Sequence, residues 1–444
     1  MLKSLTVNYT KLKKYLDNTL WIMADKFLGL GVAFLITVVV ARYLGPEDFG
    51  VFSYVISLVG LFAVAGHMGL AGLVVREIVN KPEERGLILG TTFILKLGSM
   101  ILGYAALLLY GFYYEGLGSV EFVLIAVLGS TLVLRSIDVI DYWFQSFVQA
   151  KYVAISNLIG LTFTSLAKLL FVFLGLGLSY FILANVLQVA ALCLALLLFY
   201  FTKSDLSFKH WSFSWGKAKE LLSQGWLVYL GSIFAIINLK IDQVMLKWYQ
   251  GAEQVGIYAV AAQISEAWYF IPTAIVASFF PKLIELREKD NKQYQIRLQQ
   301  LFDVLFLIAL GVAIMVSLGG GLLIDVFFGP EYAASAGILV VHIWAAIFIF
   351  MRALFSRWIL IEDALIFSLL TQGFGAIINV LLNYYWIQQY GALGAAYATL
   401  LSYAASSFVA LLLYKKTRPV FWMMCKSIVL YSLFSRGIKH EKIS

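Results

Sequence analysis

Gly225 to Pro281 reads GWLVYLGSIFAIINLKIDQVMLKWYQGAEQVGIYAVAAQISEAWYFIPTAIVASFFP. Two apolar runs flank a short polar turn, and each run is long enough to cross a bilayer as a helix. Lys240 and Asp242 lie inside the first run and Glu266 inside the second. A charge at that depth costs on the order of 3 kcal/mol unless it faces a partner or a watery cavity. The turn occurs twice. Tyr249-Gln250-Gly251-Ala252-Glu253-Gln254-Val255-Gly256-Ile257-Tyr258 aligns with Tyr43-Leu44-Gly45-Pro46-Glu47-Asp48-Phe49-Gly50-Val51-Phe52 at a constant offset of about 206 residues. Two copies of one hairpin, half a chain apart, predict that the whole protein is a repeat.

Composition agrees with a membrane chain. Hydrophobic residues make up 61% and charged residues 13% of the 444, and mean hydropathy is +0.87. Soluble domains are near 45–50% apolar and about 25% charged. Ala364 to Tyr414 carries no charge. As one helix it would be about 76 Å long against a hydrocarbon core of about 30 Å, so it holds two spans with a turn near Gln388-Gln389-Tyr390-Gly391. Leu169 to Thr202 hides a similar turn at Gly175–Ser179. Two cysteines, Cys193 and Cys425, give no disulfide framework and no zinc-type ligand spacing.

The apolar runs predict an all-α polytopic membrane protein of about twelve helices. In the first half they cover about 18–42, 48–72, 87–113, 120–142, 151–174 and 179–202. In the second they cover about 220–247, 254–281, 298–320, 334–357, 364–387 and 391–414. Residues 1–16 read as a basic interfacial arm, 17–203 as a first six-helix bundle and 204–219 as a cytoplasmic linker. Residues 220–418 read as a second bundle and 419–444 as a basic amphipathic tail, with Val420–Phe434 too short and too charged to span. Of the 33 Lys and Arg, only Arg42 and Lys247 fall in the loops opposite the N-terminus. Lys26, Lys96, Arg135, Lys168 and Lys240 lie within helices, and the rest, Arg352 and Arg357 included, fall on the N-terminal side. That asymmetry predicts a cytoplasmic-membrane protein with both termini inside. An even number of helices per half makes the repeat parallel, its pseudo-two-fold along the membrane normal.

Outer loops this short leave no room for a catalytic domain, and no Walker loop, Gly-x-Ser-x-Gly elbow or His-Glu-x-x-His occurs. The expectation is a non-enzyme with no cofactor, no metal site and no nucleic-acid partner. What remains is a set of polar groups at membrane depth. They are Asp25 and Lys26, then Arg135, Asp138 and Asp141 at helical spacing, then Asn157, Thr164 and Lys168. The second half adds Asn238, Lys240 and Asp242, then Gln263 and Glu266, then Gln372, Asn379 and Asn383. Pairing between helices accounts for some of them. A basic cavity between two bundles would attract an anion such as a phosphate. His67 and His342 read as packing histidines, and Arg42 either pairs with Glu47 or Asp48 or guards the outer mouth.

At these residues the chain resembles the polysaccharide or O-antigen flippase family, in a superfamily shared with multidrug/toxin extruders and peptidoglycan-precursor flippases. The resemblance rests on Ala41–Gly50, Lys240-Ile241-Asp242-Gln243-Val244-Met245-Leu246 and Val255-Gly256-Ile257-Tyr258. Ser265–Pro272, Phe280-Pro281 and Phe328-Gly329-Pro330-Glu331-Tyr332 extend it. It implies two six-helix bundles, alternating access, and movement of a polyprenyl-(pyro)phosphate-linked oligosaccharide from the inner to the outer leaflet. The family commonly carries Arg where this chain has Lys240, which keeps the charge without the bidentate fork. On this reading Lys26, Lys168 and Lys240 meet the phosphate, and Asn157, Asn238, Gln263, Gln372 and Asn379 meet sugar hydroxyls. Asp25, Asp242 and Glu266 balance charge or couple to H+ or Na+, and Arg42 gates the outer mouth. Implied partners are the lipid-linked oligosaccharide, membrane lipids and a polysaccharide polymerase or ligase. A cation-coupled drug extruder and a membrane glycosyltransferase or polymerase are the alternatives. Cavity lysines argue against the first and short outer loops against the second.

Overall fold

The computed structural model describes residues 2–429, with side chains from Asp17 onward apart from Thr19. The side chains of the expected basic arm, and the expected tail from residue 430 on, lie outside the described residues. The chain divides into two compact units, Met1–Ile233 and Phe234–Ser444. Among the described residues ten helical stretches are long and apolar enough to cross a membrane. Two of the ten contain a sharp turn, at Gly45 and at Gly391, so the described residues make twelve spans.

In the first unit α1 (Leu2–Ala63) turns at Gly45 and is followed by α2 (Ala71–Asn80) and α3 (Arg85–Tyr114). Next come α4 (Val120–Leu134), α5 (Val139–Ser146), α6 (Ala150–Phe173) and α7 (Leu178–Lys203). Helix α8 (Trp215–Gln250) is continuous over 36 residues, and the division between the units falls inside it. The second unit continues with α9 (Ala252–Glu266), α10 (Phe270–Lys289), α11 (Asn291–Phe327) and α12 (Ser335–His342). It ends with α13 (Ala345–Ile361), α14 (Leu365–Ser407) and α15 (Arg418–Ile428). At 11 residues, or about 16 Å, α15 is too short to cross the hydrocarbon core. It buries Val420, Phe421 and Met424, the Phe421 ring lies 4.5 Å from that of Phe408, and Ser427 donates to Asp303 of α11 at 2.7 Å.

The repeat is written in the backbone. Gly45 (φ 71, ψ 173) and Gly251 (φ 84, ψ −179) hold the same conformation, one that only glycine adopts freely. The spans that follow them break at matching places. Residues 64–70 interrupt the second span and the 3-10 turn Ala267–Tyr269 its counterpart, while Arg135–Asp138 interrupts the fourth and residues 343–344 the tenth. The sequence reading ran each of these spans straight through.

Residues 204–214, read from sequence as a linker, are fixed to the first unit. Trp211 Nε1 donates to Tyr200 Oη at 2.9 Å, and its ring packs edge-on against Phe93. The Ser212 amide donates to the Gly86 carbonyl and the Ser214 amide to Thr91 Oγ1. A Cβ on Gly86 would stand 2.2 Å from the His210 carbonyl and one on Gly90 2.4 Å from that of Ser212, so only glycine permits this contact. Lys217, beyond it on α8, is tied to Glu77, Glu84 and Glu220.

Candidate functional site

The first unit encloses a chamber of about 590 Å³ lined by α1, α3, the α4–α5 break, α6 and α7. Its polar wall holds His67, Lys96, Arg135, Asp138, Asn157 and Asn185, and its apolar wall is built from residues such as Ile56, Met100 and Leu128. A second hollow of about 440 Å³ is bordered by Asp25 and Lys26 and shares Asp141, Gln145 and Asn157 with the first. The break at Arg135–Asp138 supplies two of the chamber's charged groups. Arg135, Asp138 and Asp141 recur at every third residue, the repeat of the 3-10 turn that starts at Arg135, and all three line the wall.

The sequence-predicted residues fall on this wall unevenly. Asn157 Nδ2 donates to Asp25 Oδ2 at 3.0 Å, so a predicted sugar contact and a predicted charge-balancing group are bonded to each other. Lys168 Nζ donates to Asn185 Oδ1 at 3.0 Å and lies 5.3 Å from the Phe52 ring centroid. Lys26 is exposed and borders only the smaller hollow, so the structure does not bring Lys26 and Lys168 to one point. Arg42 is exposed beside the Gly45 turn and makes no ion pair among the described residues, so the local pairing with Glu47 or Asp48 is absent. His67, expected to pack, is exposed on the chamber wall, because the helix ends at Ala63.

Lys96 is the wall residue that sequence reasoning left without a role. It is 5% exposed, near the middle of α3, 3.9 Å from Asp138 Oδ2 and 5.4 Å from the centre of the Tyr142 ring. A single lysine in an otherwise uncharged span was the available signal.

The second unit holds a denser centre. Asp242 is 2% exposed. Its Oδ2 accepts from Tyr258 Oη at 2.7 Å and from Thr399 Oγ1, and its Oδ1 accepts from Asn383 Nδ2 at 2.6 Å. Asn383 also donates to Asn379 Oδ1, and Asn379 donates to Ser402 Oγ at 3.3 Å. Every partner of the carboxylate is a neutral donor. Asn238 Oδ1 and Asn383 Oδ1 are buried without a donor, which leaves acceptors in excess. Asn238 Nδ2 reaches the Gln372 carbonyl at 3.5 Å, and Glu266 and Tyr403 complete the wall. The centre has no room for a water-sized sphere. Asn379 is wholly buried and spent on the network, so it shows no face to a sugar. Gln263, Gln372 and Lys240 are half-buried, and Lys240 is the basic group in electrostatic reach of Glu266.

Arg352, counted from sequence among the charges outside the spans, lies inside α13 at 7% exposure. It donates to Thr371 Oγ1 at 2.7 Å and to the carbonyls of Ser406 and Ser368 at 3.3 and 3.5 Å. Ser406 is in the last turn of α14, so the guanidinium caps the negative end of that helix. This explains a buried cation with no carboxylate.

Known proteins place the chain. It is 25% identical over 413 residues to a Shigella flexneri protein named as an O-antigen transporter, covering 86% of this chain and 93% of that protein. Two solved structures share the fold at 14% identity each. The lipid II flippase MurJ, in an inward closed conformation, gives a TM-score of 0.69 and covers 94% of this chain and 93% of that one. An inward-facing multidrug resistance MATE family transporter gives 0.68 and covers 92% and 99%. They identify a fold of twelve helices in two bundles. Residues 15–287, well over half of the chain, match the family described as polysaccharide biosynthesis protein, and to that family this multi-pass membrane protein belongs.

Proposed function

We infer that the protein is a flippase that carries lipid-linked oligosaccharide across the membrane by alternating access. The observation that carries the reading is a polar chamber inside membrane-spanning helices of a polysaccharide biosynthesis family member. A lipid-linked glycan has an anionic head, a hydroxyl-rich chain and a tail that stays in lipid. Amides such as Asn185 and Gln188 suit the hydroxyls, and basic groups suit the head. The relative named as an O-antigen transporter supports the same class. A drug extruder for organic cations would have no use for a buried lysine on the chamber wall.

The finer points extend the proposal. The positive-inside asymmetry supports a cytoplasmic membrane location, both termini inside and transport toward the outer leaflet. Delivery to a polymerase or ligase follows from the chemistry of glycan assembly. Asp242, ringed by neutral donors, is the group for H+ or Na+ coupling, with Asp25 and Glu266 balancing charge. Its oxygen-rich neighbours suit a hard cation. A proton would enter without repacking, whereas Na+ requires the cluster to open.

The test is leaflet accessibility of lipid-linked oligosaccharide in cells depleted of the protein. Accumulation on the cytoplasmic face, relieved by re-expression, is the expected result. An unchanged distribution in a strain lacking any redundant carrier would remove the flippase reading.

A further inference from the structure

Lys96 and Arg135 aim at one point from two helices. Lys96 Nζ and Arg135 Nη1 are each 3.9 Å from the same atom, Asp138 Oδ2. A charge-assisted hydrogen bond closes at about 2.7–2.9 Å, so both contacts are a full ångström too long to be one. Among the described residues neither cation donates a hydrogen bond to any other group. Lys96 is nonetheless buried, with its ammonium on the wall of the 590 Å³ chamber. Ammonium burial is tolerated when short polar contacts replace water, and here one carboxylate oxygen at arm's length serves two cations.

Resting on the flippase reading, we propose that Lys96 and Arg135 form an oxyanion-binding subsite in the first unit, with Asp138 as a built-in stand-in that yields to the substrate's anion. The oxyanion is either a phosphate of the lipid head or the carboxylate of an acidic sugar, since both present oxygens that two converging cations can bridge. Lys26, Lys168 and Lys240 do not do this. Lys168 is already bonded to Asn185, and Lys26 lies outside the chamber. Asp138 has a definite part. It offsets one of the two positive charges when the subsite is empty and competes with the ligand when it is filled.

The experiment uses the purified full chain in nanodiscs with two probes, polyprenyl pyrophosphate and glucuronate, and compares wild type with Lys96→Met, Lys96→Arg and Asp138→Asn. Lys96→Met should weaken one probe at least tenfold, Lys96→Arg should retain most binding, and Asp138→Asn should tighten the same probe severalfold. The probe that responds names the source of the oxyanion. A Lys–Asp pair that is only structural would make Asp138→Asn as damaging as Lys96→Met, and that result overturns the subsite, as does unchanged binding of both probes to Lys96→Met. Wild type that binds neither probe would overturn the flippase reading with it. If Lys96→Met does not fold, the sign of the Asp138→Asn effect still decides.

Discussion

Lys217 Nζ lies 2.7 Å from Glu77 Oε2, and both side chains are buried where the end of α2 meets the start of α8. Lys81 adds a 2.9 Å contact to the same oxygen. Lys217→Met takes from the buried Glu77 carboxylate its shortest cationic contact while Lys81 remains, and should destabilise by about 1.5–3 kcal/mol, read by thermal unfolding in detergent. Converting both residues to apolar ones should restore most of that loss. Persistent instability of the double variant would mean that packing, not charge, dominates there.

The hydrogen bond that Lys81 donates to the Glu77 carboxylate holds the ammonium above the ordinary lysine range. A raised lysine contributes stability that is complete below its unfolded value and fades only as pH climbs through the folded one. The melting difference between wild type and Lys81→Met should therefore be flat from about pH 6 to 9. A difference that grows or shrinks within that window contradicts the assignment.

Gly251→Ala isolates backbone strain, since a Cβ there meets nothing within 4 Å while φ is 84. The expected cost is about 1–3 kcal/mol. Gly69→Ala combines a positive φ with a Cβ placed 2.2 Å from the Gly225 carbonyl, so it should cost more. Equal melting shifts for the two would refute the ranking.

Tyr258→Phe removes one of the donors to the Asp242 carboxylate and should cost about 1.5–3 kcal/mol, as hydrogen bonds to charged groups do. Asp242→Asn removes the charge but keeps the shape, so transport that persists should no longer follow an imposed H+ or Na+ gradient. Flipping assays in proteoliposomes with and without each gradient check this, and full gradient dependence in Asp242→Asn would rule the residue out.

Arg352→Lys keeps the charge yet cannot reach Thr371 and the Ser406 carbonyl together. It should destabilise by about 1–3 kcal/mol. Wild-type stability in Arg352→Lys would show that charge alone caps α14.

Glycine turns were legible in the sequence because lipid makes the rule strict: backbone groups must be paired within helices, so a chain that reverses direction does so at a short turn. That is why Gly45, Gly251 and Gly391 marked turns correctly and the twelve spans could be counted. The interruption at Arg135–Asp138 was not legible, since no glycine or proline lies in it or in the turn after it, whereas that at Ala267–Tyr269 precedes Pro272, which has no N–H to give the Trp268 carbonyl. Lys96, the one charge in its span, signalled a polar neighbourhood, but the sequence did not say which groups on other helices it would face. Arg352 misled because a charge near the end of an apolar run resembles a loop residue, while its partners lie on a helix later in the chain.

The fixed course of residues 204–214 and the long α8 bear on how such chains can be recombined. A hybrid joined at residue 219 would set a foreign α8 against Met68 and Gly69, where the backbones of Gly69 and Gly225 leave no space for a side chain. A junction between Ile233 and Phe234 keeps that contact with its own partners and cuts only one helix. Halves exchanged there among relatives should be inherited as intact modules, whereas exchange at the apparent linker should yield chains that fail to assemble.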